Sequence, residues 1–130
     1  MPVADTSFII DLIRHDSGAM AYLKDIEEGG IPPSLTPVTI LELYYGAYNS
    51  ISLEKNIKEA LAFRNLWEEL PFTDDVYHAF GYLSATLGRQ GVRLGDFDEV
   101  IAAFALTLDK KIITRDRHFE KVPGISIIGY

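Results

Sequence analysis

The chain has no cysteine, which excludes a disulfide framework and any thiolate metal centre. A bound ion would have to use oxygen ligands or the three histidines, and that favours a hard cation such as Mg2+ or Mn2+. No apolar run approaches the roughly 18 residues that a membrane span needs. The first residues also lack the basic-then-apolar pattern of a signal peptide, so a cytoplasmic protein without a membrane partner is expected. Pro-, Gly- or Ser-rich linkers and internal repeats are missing too. With 130 residues, 48% of them hydrophobic, residues 1–130 read as a single domain with one ordinary core.

Positive charge is scarce. Twelve Lys and Arg stand against nineteen Asp and Glu, for a net charge of −7, and phosphate binding normally relies on Lys and Arg releasing counterions. The distribution softens that objection. Arg89, Arg93, Lys110, Lys111, Arg115, Arg117 and Lys121 place seven of the twelve basic residues in one stretch with only six acids. A cation bound there would make the region positive.

Segments of strand and helix character alternate. Val3-Ala4 reads as a buried strand leading into a helix from Phe8, and Ser17 as the cap of a helix through Glu28 that Gly29-Gly30 closes. Ser34–Val38 reads as a second strand, followed by Thr39-Ile40-Leu41-Glu42, which fits the Ser/Thr-x-x-Glu signature of a helix N-terminus. Ala60, Phe63, Trp67 and Leu70 recur at helical spacing. Thr73 can cap a further helix with the stripe Val76, Phe80, Leu83 and Leu87, ended by Gly88 and Gly91. A helix over 98–108 turns Ile101, Phe104, Ala105 and Leu108 inward, 111–114 is a β-branched strand, Asp116 starts a short helical turn, and 125–128 is the last strand. Such alternation predicts an α/β fold, a mostly parallel sheet with helices on both faces, and ligands beyond the carboxyl ends of the strands.

Four carboxylates, Asp5, Glu42, Asp98 and Asp116, fall where apolar runs give way to helix starts. Each alone is a plausible helix cap. Together they are costly, since carboxylates held within ~5 Å repel at roughly 3 kcal/mol per pair at an effective dielectric near 20, and a divalent cation reverses that sign. Mg2+ is usually held by one or two carboxylates with waters and substrate phosphate, an arrangement suited to phosphodiester hydrolysis. Arg115, next to Asp116, is either a phosphate contact or a solvated arginine. His15, His78 and His118 are too scattered to form a ligand cluster and read as structural or surface residues.

These residues resemble the PIN domain family, and within it the small VapC-type ribonuclease toxins of prokaryotic toxin–antitoxin pairs. The resemblance covers essentially the whole chain. It rests on Asp5-Thr6-Ser7, on Glu42 in the run Thr39 to Gly46, on Asp98 in the run Gly95 to Ala103, on Ile113-Thr114-Arg115-Asp116, and on His118-Phe119 with Val122-Pro123-Gly124. Asp96 and Glu99 flank the third acid, and Ile101-Ala102-Ala103 sets the register that selects Asp98.

The resemblance implies a three-layer α/β/α fold on a five-stranded, mostly parallel sheet. It also implies a Mg2+- or Mn2+-dependent endoribonuclease, with RNA as substrate and a cognate antitoxin as inhibitor. In its terms Asp5 and Asp98 are the direct metal ligands, Glu42 and Asp116 complete the shell or orient water, and Thr6, Ser7 and Thr114 are supporting hydroxyls. A homodimer is expected through helices between Thr39 and Leu70, where Tyr44, Tyr45, Tyr48, Phe63 and Trp67 are concentrated. The inhibiting partner is expected to bring a basic tail into the acid pocket and an apolar side chain into an adjoining groove. Two alternatives stay open: a non-catalytic PIN-like binding module, and a general nuclease acting on DNA or structured nucleic acid. A phosphoacceptor receiver or an aspartate phosphatase fits less well, because Ser7 stands where a second acid would be wanted.

Overall fold

The computed structural model describes residues 1–130. In chain order the elements are β1 (Val3–Ala4), α1 (Thr6–Ile13), α2 (Ser17–Glu27), α3 (Pro37–Tyr48), α4 (Leu53–Leu66), α5 (Asp74–Arg89), α6 (Asp96–Leu106), β2 (Lys111–Ile113), a short 3-10 helix (Arg117–Lys121) and β3 (Ser126–Ile128). The strands lie in the order β1-β2-β3, all parallel, with Val3 opposite Ile112 and Ile112 opposite Ile127.

The five-stranded expectation is corrected to three strands. The missing two are present only as single parallel bridges, Ser34 to Val3 and Leu35 to Glu69, held by Ala4 N–H to Ser34 O at 2.9 Å and Leu35 N–H to Glu68 O at 2.8 Å. The strand read over 34–38 stops early for a local reason. Pro37 takes the first helical position, where its missing N–H costs nothing, and the Thr36 hydroxyl accepts from Thr39 N at 3.2 Å, so α3 starts where the strand was expected to continue.

Two apolar layers follow from strand alternation. Val3 and Ile112 point into one cluster with Val76, Leu83, Leu87, Ile101 and Phe104 from α5 and α6. Ala4 and Ile113 point the other way, to Phe8, Leu12, Leu43 and Trp67. Val76, Leu83 and Leu87 are buried as their spacing requires, and Thr73 caps α5 by accepting from Val76 N at 3.3 Å. That helix runs past Gly88 to Arg89, and Gly91, at φ +66°, takes the left-handed conformation just beyond it.

Asp16 rather than Ser17 caps α2, accepting from Ala19 N at 2.9 Å. Leu108 lies past the end of α6 and is 38% exposed instead of inward. His15, at φ 57°, closes α1: its N–H reaches Leu12 O at 3.0 Å and the next N–H reaches Asp11 O at 2.9 Å, the paired bonds of a Schellman stop. No helix is long and apolar enough to cross a membrane.

Candidate acidic site at the carboxyl edge of the sheet

Asp5 follows β1, and because Ala4 pairs with Ile113 the residue beside it is Thr114, just past β2. Asp5 occupies the N-cap position of α1 yet makes no capping bond. Its Oδ2 instead accepts from Ser7 Oγ at 2.9 Å and from Thr114 Oγ1 at 2.8 Å. Thr114 Oγ1 in turn accepts from Asp116 N at 2.9 Å, so one hydroxyl links the ends of both strands. The carboxylate is 5% exposed and fixed in place.

Glu42 lies on α3, one turn beyond the helix start, and is no reciprocal cap of Thr39. It accepts from Thr6 Oγ1 at 2.7 Å. Burial raises its carboxyl above the ordinary glutamate range; the Thr6 hydroxyl offsets part of that and the Asp5 charge adds to it.

Asp98 stands in the first turn of α6, which has Gly95 at its N-cap and no side-chain cap bond. Its carboxyl is pushed up to about 6, first by burial and then by the charges of Asp5, Asp116 and Glu42, with His118 pulling the other way. All three of the other acids therefore act on this one group. Asp96 is exposed, whereas Glu99 is buried at the core side of the same turn.

Asp116 caps the 3-10 helix, accepting from His118 N at 2.9 Å and contacting His118 Nδ1 at 2.6 Å. Burial alone would raise its carboxyl. The His118 backbone N–H, ring and charge, with Lys121 behind them, outweigh burial and hold it below the usual aspartate range. His118, read from sequence as a bland residue, therefore touches the site. The sequence signals were its position two residues after Asp116 and its place in the His118-Phe119 ending that resembles the family.

Arg115 does not point free into the site: its Nη1 pairs with Asp11 Oδ1 at 2.7 Å while its side chain remains 57% exposed. The other Asp11 oxygen accepts from Tyr130 OH at 2.6 Å. Asp11 and Tyr130 were not singled out in the sequence; a charged residue on the buried face of α1 was the available clue.

The donor set is all oxygen, and its mutual repulsion calls for positive charge. No three His, Asp or Glu side chains are gathered closely enough to hold a metal ion between them. That combination fits a Mg2+ or Mn2+ held by one or two carboxylates and mostly water, and does not fit a structural ion with full protein ligation.

Beyond Glu42 a groove of about 370 Å3 runs between α1, α3 and α4, lined by Ile10, Ile13, Leu43 and Ala60, by the acids Glu42 and Glu59 and by the bases Arg14 and Lys55. Glu59 Oε2 is buried in this region without a hydrogen-bond partner.

The PIN domain sequence profile matches residues 3–125. The chain belongs to the PIN domain family, on its VapC branch. It is 32% identical over 94 residues to the tRNA(fMet)-specific endonuclease VapC of Salmonella typhimurium, an alignment covering 72% of this chain and 71% of the relative. To the Shigella flexneri protein of the same description it is 30% identical over 122 residues, covering 93% and 91%. The DNA-bound VapBC structure from Salmonella typhimurium superposes with a TM-score of 0.85 at 26% identity, over 99% of this chain and 98% of that one. VapBC2 of Rickettsia felis, bound to a promoter DNA fragment, shares the PIN fold at a TM-score of 0.89 and 20% identity, over 98% and 96%.

Proposed function

We propose that the chain is a divalent-metal-dependent endoribonuclease, the toxin of a VapBC-type toxin–antitoxin pair, working as a single domain in the cytoplasm. The observation that carries this is that Thr114 ties the Asp5 carboxylate to the start of the Asp116 turn at the carboxyl edge of the sheet, where the charges of Asp5, Asp116 and Glu42 help raise the half-buried carboxyl of Asp98. The relatives described as VapC endonucleases support RNA as substrate.

Asp5 and Asp98 would hold Mg2+ or Mn2+, which when bound neutralises phosphate charge and acidifies a water. Ser7 and Thr114 fix Asp5, so this ligand has no rotamer freedom to lose when the substrate arrives. Glu42, oriented by Thr6, and Asp116, oriented by His118, would position the attacking water and take its proton.

Cleavage of a single-stranded RNA should need Mg2+ or Mn2+ and stop in excess EDTA. Undiminished cutting in EDTA would sink the reading, and cutting of DNA alone would move it to a general nuclease.

The inhibiting partner is proposed to lay an apolar segment in the groove beside Glu42 and to carry Arg or Lys toward Glu42 and the unpartnered Glu59 oxygen. Calorimetry of the complex should show Mg2+ weakening that association; indifference to metal would place the partner elsewhere.

A homodimer is proposed through α3, on residues only partly those expected. Leu41, Tyr45 and Tyr48 line one face at 58%, 72% and 71% exposure, with Ile51 beyond them. Trp67 is excluded from that face: it is 6% exposed and stacks on Phe8 at 6.2 Å between ring centroids. Light scattering should give a dimer that Tyr45→Glu dissociates; a wild-type monomer at micromolar concentration would refute the interface.

A further inference from the structure

On the side of Asp98 away from the apolar groove lies a second, open cavity of about 340 Å3 lined by Arg93, Leu94, Gly95, Asp98, His118 and Lys121. Its basic side chains come from two separate segments, Arg93 from the connection between α5 and α6 and His118 and Lys121 from the 3-10 helix. Lys121 Nζ donates to Arg93 O at 3.4 Å and so holds the two walls together. In a chain of net charge −7 with only twelve Lys and Arg, two of them and a histidine converge on one concavity whose single acid is Asp98. Like charges repel here just as in the acid pocket, so this arrangement favours an anion.

The lining also narrows what kind of anion fits. Leu94 is the only apolar wall and the His118 imidazole the only aromatic ring, so no Phe, Tyr or Trp offers a base a broad stacking platform. The donors are two long cationic side chains and an imidazole, the groups that meet phosphate oxygens. Gly95 forms the boundary with Asp98, and a Cβ built there would come within 3.3 Å of Asp98 Oδ2, so the missing side chain keeps the cavity open onto the acids.

We propose that this cavity is a phosphate subsite that seats a backbone phosphodiester of single-stranded nucleic acid next to the one being cut. The inference rests on the nuclease reading and adds the path by which an acidic protein holds a polyanion. Arg93 and Lys121 bind the neighbouring phosphate, so the scissile one is presented to Asp98 without relying on attraction from a surface that is negative overall. Because the subsite reads phosphate and not base, its contribution is the same for every sequence.

The test is fluorescence anisotropy of a labelled 12-nucleotide single-stranded RNA with the full chain in EDTA, over a range of salt. Arg93→Gln with Lys121→Gln should weaken binding about tenfold for each RNA sequence tried. The slope of log affinity against log salt should fall by about 0.7, the value for one phosphate neutralised on a single strand. Arg93→Lys should retain that slope, and unchanged thermal unfolding of the variants checks that the fold survives.

Wild type and double variant binding equally well, with equal slopes, would overturn the subsite, as would wild type that binds no RNA at any salt; both leave the nuclease reading intact, which stands or falls on cleavage in Mg2+ or Mn2+. Unchanged RNA affinity with weakened binding of the antitoxin protein would reassign the cavity to an acidic peptide and equally refute the proposal.

Discussion

Two clusters of ionisable groups lie near each other along α1 and beyond the ends of the strands, and they are built on opposite terms. In one, Asp11 is 3% exposed but each of its oxygens has a donor, Arg115 at 2.7 Å and Tyr130 at 2.6 Å. In the other, half-buried Asp98 has no side-chain hydrogen bond to a cation, and the charges of Asp5, Asp116 and Glu42 outweigh that of His118. The first charge is satisfied inside the protein and has nothing left to offer a ligand. The second is satisfied only by something arriving from outside. Burial of an acid is therefore no guide to function; what separates the clusters is whether the charge is already balanced.

That contrast predicts opposite responses to neutralising one acid in each. Asp98→Asn should reduce RNA cleavage by at least about a thousandfold, since it removes a proposed ligand from the reacting centre, and should raise metal-free stability by about 1–2 kcal/mol. A full shift from 3.8 to about 6 would be worth about 3 kcal/mol, reduced here because the site is partly solvated. A variant that keeps near wild-type cleavage would show that the repulsive cluster is not the centre of the chemistry.

Asp11→Ala should do the reverse. Losing the acceptor for Arg115 and Tyr130 is expected to lower stability by about 3 kcal/mol, seen as a lower denaturation midpoint, with cleavage per folded molecule changed far less. Equal destabilisation by both substitutions would erase the distinction.

The smallest effect should come from pH. The Asp98 carboxyl titrates higher in the folded chain than in the unfolded one, so between about 4 and 6 the folded state binds more protons. Metal-free stability should then fall by about 1–2 kcal/mol as pH rises through that window, and recover as pH drops. Urea titrations in EDTA at pH 4.5 and 7 measure it. Asp98→Asn should flatten this component, and an undiminished slope would mean that another group carries it.

Much of the secondary structure was legible because it depends on neighbours in sequence. The Thr73 cap, the Val76-Phe80-Leu83-Leu87 stripe, of which Phe80 is only half-buried, the strand read over 111–114, which ends at Ile113, and the turn beginning at Asp116 are each specified within a few residues. The misreadings occurred where two local signals compete or a distant contact intervenes. Thr36-Pro37 outweighs the extended character of 34–38, and Trp67 leaves the expected dimer face because Phe8, far away in sequence, offers it a stacking partner.

The four acids could be named from their places at strand ends and helix starts, but their chemistry could not. That Glu42 accepts from Thr6, Thr114 steers Asp5, Asp11 holds Arg115 and His118 touches Asp116 follows from side-chain directions after folding. The sequence by itself determined the alternating elements, the shortage of positive charge and the absence of any thiolate, since these depend on residue type and short-range spacing. Only the tertiary structure decided which carboxylates face one another and which are already neutralised, because electrostatic balance falls off with distance in space and bears no fixed relation to distance along the chain.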